Sequence, residues 1–126
     1  MKVGLDVDFT ITDAPWLYKA MARALLEEGH EVHIITYRDW EKRREVEREL
    51  TEYGVRYTGL HLPKNDDDLP PAWKASVARE VGLDLMIDDS PEVLAAMPRA
   101  VKRLWVCDPT VFDLGRVVHA LRREAR

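Results

Sequence analysis

Met1-Lys2-Val3-Gly4-Leu5-Asp6-Val7-Asp8-Phe9-Thr10 opens the chain, and its reading decides the fold. Lys2 to Val7 is a short apolar run that ends in acid, the pattern of a strand buried on both faces. Leu17, Ala20, Met21, Ala24 and Leu25 then recur at helical spacing and predict one apolar stripe of a helix. Pro15 suits its first turn and Gly29 the position past its end. Glu31 to Thr36 predicts a second strand. Asp39 to Tyr53 predicts a second helix, closed by Gly54, whose stretch from Glu41 to Glu49 is almost all charged and so faces water. Val55 to Leu62 holds a third, weaker strand.

The alternation continues. Pro63 to Pro71 is a loop by composition. Trp73, Val77 and Val81 mark a helix ended by Gly82, and Leu83 to Ile87 predicts a fourth strand, again ending in acid. Ser90 as N-cap and Pro91 at the first helical position open another helix. Arg103 to Cys107 predicts a fifth strand and Val111 to Arg123 a last helix. Strand and helix thus alternate about five times. Such alternation implies right-handed crossovers and a sheet covered on both faces. The expectation is an α/β chain: a single Rossmann-like, three-layer α/β/α domain over residues 1–126 with a five-stranded, mostly parallel sheet.

Composition narrows the function classes. Nineteen Lys and Arg against 23 Asp and Glu give a net charge of −4 in 126 residues, without the basic face that general nucleic-acid binding needs. The single cysteine, Cys107, excludes an intrachain disulfide and a cysteine metal cluster. No apolar run approaches the roughly 18 residues of a membrane span. The acid at Asp6 interrupts the region where a signal peptide would still be apolar. These features predict a cytoplasmic protein without a membrane segment and leave a homo-oligomer open.

Ligands on such sheets bind at the carboxyl ends of the strands. Asp6 and Asp8 follow the first strand, Thr36 ends the second, and Asp88 and Asp89 end the fourth. Acids after strands commonly line turns or cap helices. Two pairs at one end of one sheet, however, would repel and raise each other's pKa values unless a cation intervened. The candidate ligands Asp6, Asp8, Asp88 and Asp89 are hard oxygens, which point to Mg²⁺ rather than Zn²⁺.

Asp6-Val7-Asp8-Phe9-Thr10-Ile11 resembles the DxDxT signature of the haloacid dehalogenase-like (HAD) superfamily. Thr36, after the apolar run Val32 to Ile35, resembles its second motif, Lys74 its third-motif lysine, and Leu85-Met86-Ile87-Asp88-Asp89 its acidic fourth motif. The four occur in the family's order. The resemblance implies a phosphatase in which Asp6 is the nucleophile and forms an aspartyl-phosphate, while Asp8 acts as general acid and then general base. It implies Mg²⁺ held by Asp6, the backbone carbonyl of Asp8, Asp88 and Asp89, with Thr36 and Lys74 on the phosphoryl oxygens. Both usual insertion points for a cap domain are short, which implies an open site. The substrate would be a phosphorylated small molecule, or a nucleotide or oligonucleotide end, as in the nucleotidase-like and polynucleotide-phosphatase-like members.

Some residues carry more than one reading. Arg38 would either reach a substrate phosphate or pair with acids of the second helix. Lys64 rivals Lys74. Thr36 is also an ordinary β-branched strand residue. Phe9 stands where the family often has Gly, and is strained if that position needs a positive φ. His30 and His33 flank or occupy a strand and point to opposite faces, so a metal pair is not expected. The four tryptophans read as core or helix-packing residues, and Cys107 as a small buried hydrophobe. Two rivals to the phosphatase remain: a catalytically degenerate HAD-like domain that binds a phosphorylated ligand or partner, and a receiver-like phosphoacceptor domain.

Overall fold

The computed structural model describes residues 1–64 and 68–107; Asp66, Asp67 and the expected last helix from Val111 to Arg123 lie outside them. Five strands, β1 (Lys2–Leu5), β2 (Glu31–Ile35), β3 (Gly59–His61), β4 (Leu85–Asp88) and β5 (Lys102–Trp105), form one sheet in the order β3-β2-β1-β4-β5. Every pairing is parallel, so the sheet is wholly rather than mostly parallel. The helices between them are α1 (Pro15–Glu27), α2 (Arg43–Tyr53), α3 (Pro70–Val81) and α4 (Pro91–Ala96). A 3-10 turn at Trp40–Lys42 precedes α2, with the Asp39 side chain accepting from the Glu41 amide. None of these helices is long and apolar enough to cross a membrane.

Successive strand residues point to opposite faces, and the core divides accordingly. Leu5, Ile34 and Ile87 pack with Tyr18 and Ala22 of α1 and with Val46 and Leu50 of α2. Ile35 and Met86 pack on the other face with Trp73 and Val77 of α3 and with Val93 and Leu94 of α4. The result is three layers, a Rossmann-like α/β arrangement. Gly54 and Gly82 close α2 and α3 in the left-handed conformation at φ 72° and 74°, which is why the charged α2 pattern stops where it does.

Three expectations shift. The buried face of α1 is Tyr18 and Ala22, with Met21, Leu25 and Leu26 partly covered, whereas Leu17, Ala20 and Ala24 face solvent. The apolar stripe is therefore rotated about one position from its expected phase, with Tyr18 rather than Leu17 turned into the core. Trp73 is the buried tryptophan, while Trp16 is 74 % exposed and Trp40 and Trp105 are also on the surface. Cys107, just past the end of β5, is exposed rather than buried, and β5, the last strand of the sheet among the described residues, is exposed along its length.

Candidate active site

The strand order reverses between β1 and β4, and these neighbours deliver the acids. The Asp6 amide donates to the Ile87 carbonyl at 3.1 Å, which sets Asp6 beside the end of β4. In an open parallel sheet this reversal opens the crevice where ligands bind. The chain leaves β1 in a tight turn, Val7–Ile11, closed by the Thr12 amide on the Val7 carbonyl (3.1 Å), that buries Val7, Thr10 and Ile11 and turns Asp8 and Phe9 outward. The turn requires φ 61° at Phe9, the sole positive φ of a non-glycine among the described residues. A left-handed conformation costs a side-chain-bearing residue roughly 1–2 kcal/mol. The Phe9 ring recovers little of that by packing, since the residue is 68 % exposed. Phe9 is therefore strained, and a hydrogen bond from its amide to Thr12 Oγ1 (2.9 Å) holds the turn.

The floor of the crevice is buried and ionic. Lys74 comes up from α3, and its Nζ donates to Asp6 Oδ1 and to Asp88 Oδ2, each at 2.8 Å. Asp6, Lys74 and Asp88 are only 5 %, 4 % and 1 % exposed. The remaining carboxylate oxygens are also engaged: Thr10 Oγ1 donates to Asp6 Oδ2 (3.2 Å) and the Ser90 amide to Asp88 Oδ1 (2.9 Å). Burial pushes the Asp6 carboxyl up to about 7; Lys74 pulls it down and the Asp88 charge pushes it further up. Asp88 is raised for the same first reason, with Lys74 opposing. Burial alone would lower Lys74, but the two carboxylates outweigh it and raise its pKa. Lys74 is an ammonium shared between its two acids.

Two features of the floor call for a ligand. Asp6, Asp88 and Asp89 each offer a carboxylate oxygen, and the three oxygens lie within 4.8 Å of one another. That all-oxygen, acidic donor set fits a hard divalent cation. Asp8 does not join the cluster with its side chain, in contrast to Asp88 and Asp89. At the end of β2 the Thr36 hydroxyl is buried without a hydrogen-bond partner, alone in this among the described residues. An unmet buried hydroxyl costs roughly 1–3 kcal/mol, and a ligand oxygen would satisfy it.

The rim is open and differently wired. Arg38, two residues past Thr36, donates from Nη2 to Asp8 Oδ1 (2.7 Å) and from Nε to Asp8 Oδ2 (3.1 Å). The other edge of the guanidinium donates to Glu49 of α2, from Nη1 at 2.6 Å and Nη2 at 3.3 Å. Arg38 thus pairs with the second helix, as one of its two readings had it, and with Asp8 as well. These hydrogen bonds hold the Asp8 carboxyl below its ordinary value against the opposing effect of burial, with the Arg38 and Lys74 charges adding to them. Tyr37 packs edge-on against Trp73 at 5.7 Å and donates to the Asp68 carbonyl, which ties the loop before α3 to the site. Lys64 is placed elsewhere, 5.4 Å from the Trp40 ring centroid.

Glu49 was not singled out by sequence, because nothing in an almost wholly charged helix distinguishes one glutamate from the next. Thr10 was visible only as a letter of the signature. The two histidines do not meet: His30 Nδ1 lies 2.7 Å from the Met1 amine, while His33 contacts His61 and Glu31 at 3.0 Å each.

The fold recurs in an RNA repair complex. A chain in the structure of the Pnkp1/Rnl/Hen1 RNA repair complex aligns with a TM-score of 0.69 and 19% identity over 84% of this chain. A chain in a second structure of the Pnkp1/Rnl/Hen1 complex aligns with a TM-score of 0.70 and 19% identity, again over 84% of this chain. The alignments span 42% and 46% of those chains, so this protein matches less than half of each. At that identity the likeness establishes the fold. No protein-family model and no curated protein matches the sequence.

Proposed function

We propose that the chain is a Mg²⁺-dependent, HAD-like phosphomonoester phosphatase that works through an aspartyl-phosphate on Asp6. The observation that carries this reading is the convergence of Asp6, Asp88 and Asp89 around a buried lysine, at the same end of the sheet as an unpartnered Thr36 hydroxyl. In the first step an Asp6 carboxylate oxygen attacks phosphorus while the bond to the leaving oxygen breaks, and Asp8 gives that oxygen its proton. In the second, Asp8 takes a proton from water, the water oxygen attacks phosphorus, and the bond to Asp6 breaks to release inorganic phosphate. The Arg38 clamp favours the ionised form of Asp8 that the second step starts from. The first step starts from the protonated form, in which one Asp8 oxygen keeps its hydrogen bond from Arg38 while the other gives its proton to the leaving oxygen.

Lys74 and Thr36 supply donors for the phosphoryl oxygens, and Lys74 also offsets the charge of the acids beneath them. Held by Asp6, Asp88, Asp89 and the backbone carbonyl of Asp8, Mg²⁺ would neutralise charge on the transferring group. Residues 6–14 connect β1 to α1 without an inserted domain, which leaves that side of the site open. An open site and a fold shared with a component of an RNA repair complex favour a nucleotide or a phosphorylated RNA end as substrate.

A second reading keeps the site but not the turnover. The strain at Phe9 and the grip of Arg38 on Asp8 suit a domain that binds a phosphorylated ligand without hydrolysing it. A receiver-like domain is disfavoured by topology, since receivers have the strand order 2-1-3-4-5 and this sheet does not. The experiment is phosphate release from a panel of phosphomonoesters, with nucleotides and 3′-phosphorylated oligonucleotides, with and without Mg²⁺. The phosphatase reading predicts metal-dependent release from at least one member. Tight binding of a member without release would favour the second reading.

A further inference from the structure

We propose that Glu49 is a positioning residue for the reaction: it locks Arg38 so that Arg38 in turn orients Asp8. The proposal rests on the phosphatase reading of the site. Arg38 has a long side chain, and a single exposed carboxylate would not fix it, because an exposed ion pair contributes little against side-chain entropy. Here both edges of its planar fork are taken. Asp8 receives Nε and Nη2, and Glu49 receives Nη1 and Nη2. Glu49 is itself held, since Tyr53 one helical turn later donates to its Oε1 at 3.2 Å. The Arg38 and Glu49 side chains are 20 % and 24 % exposed, whereas that of Asp8 is 51 % exposed. The anchored end of the chain of contacts is therefore Glu49, on a helix packed into the core by Val46 and Leu50, and the free end is Asp8.

The direction of control follows from this asymmetry. Asp8 sits on a strained turn that buries neither it nor Phe9. Its two oxygens take their only side-chain partner from Arg38 among the contacts described. Asp8, Arg38 and Glu49 line one open cavity of about 470 Å³, so the three contacts form one continuous wall at the rim. Arg38 spends most of its five donors on carboxylates, which makes it an orienting group for Asp8 before it is a phosphate ligand. Positioning of a reacting group to within a fraction of an ångström decides rate more than affinity.

The test is Glu49→Gln, which keeps the shape of the side chain and removes its charge, beside Glu49→Asp and Arg38→Ala. Steady-state kinetics on the best phosphomonoester should show kcat lowered roughly 10-fold with KM changed less than about twofold. Glu49→Asp should recover part of the loss. Glu49→Gln should add nothing in the Arg38→Ala background, because the effect runs through Arg38. The side-chain Nε–H resonance of Arg38 should be sharp and dispersed in the wild type and collapse toward the free-arginine position in Glu49→Gln. A rise in KM alone would overturn the proposal and make Glu49 part of substrate binding. So would an unchanged kcat, an additive double variant, or an unmoved Arg38 resonance. Failure of the phosphatase reading looks different: the wild type itself releases no phosphate, and the proposal falls with it.

Discussion

Asp6 and Asp8 are two residues apart and each touches a basic side chain, yet their carboxyls are pushed in opposite directions. On the floor, burial outweighs Lys74 and lifts Asp6 to about 7. On the rim, the hydrogen bonds of Arg38 outweigh partial burial and hold Asp8 low. The difference teaches that a cationic partner alone does not fix the state of a carboxylate here; how deeply the pair is buried decides whether the partner or desolvation wins. Desolvation penalises every charge on the floor, whereas at the rim it is weaker and the guanidinium outweighs it. A pair of acids whose environments drive them apart is the arrangement a two-step proton transfer needs.

The largest expected effect breaks the floor and leaves the rim intact. Asp6→Asn keeps the shape but loses the nucleophile, and turnover should fall by at least about 10³-fold in a phosphate-release assay. Asp8→Asn should fall by roughly 10²-fold or more, the range of general acid–base catalysis. Equal, small losses in both would mean that floor and rim do not differ in role.

Stability sharpens the contrast next. Lys74→Met leaves Asp6 and Asp88 facing each other without their cation, and should destabilise the fold by about 3–5 kcal/mol in urea unfolding at pH 8. The loss should shrink at pH 5, where the acids can take protons. Arg38→Met removes a cation from acids that water reaches, and its effect should be near 1 kcal/mol.

The pH dependence of the floor has a definite sign. The fold raises Asp6 from 3.8 to about 7. Between those values the native chain holds a proton that the unfolded chain has released. The stability Asp6 contributes is therefore full below about pH 4 and lost as pH rises through 7. Mg²⁺ needs the ionised carboxylate, so it should raise the melting temperature more at pH 8 than at pH 6, and EDTA should abolish both the shift and the activity. An equal shift at both pH values would place the cation away from Asp6.

The smallest effect belongs to the rim. Phe9→Gly relieves a left-handed φ of 61° with little packing to lose. It should be stabilising by up to about 1 kcal/mol, read as a rise of a few degrees in melting temperature. A loss of stability would show that the exposed ring packs more than its exposure suggests.

The order of elements and the strand-end acids were legible because burial in a parallel sheet writes itself as short apolar runs between helical stripes. Lys74 was legible by its place before the fourth strand, but its rival Lys64 could be set apart only by geometry, since one meets two acids and the other a tryptophan ring. The rotated face of α1 was missed because Leu17 scores as apolar while Tyr18 does the burying. Glu49 was missed because an ion pair across eleven residues leaves no periodic trace. The doubt over Phe9 was half legible: the residue type was visible, the φ that strains it was not.

The phosphatase reading requires that Asp6 carry the phosphoryl group during turnover. Quenching the wild-type reaction with acid and measuring the intact mass tests it most directly, with peptide mapping to locate any adduct. One phosphoryl group is expected on Asp6, absent in Asp6→Asn and absent without Mg²⁺. Phosphate release that proceeds with no adduct, or with an adduct on another residue, would contradict it.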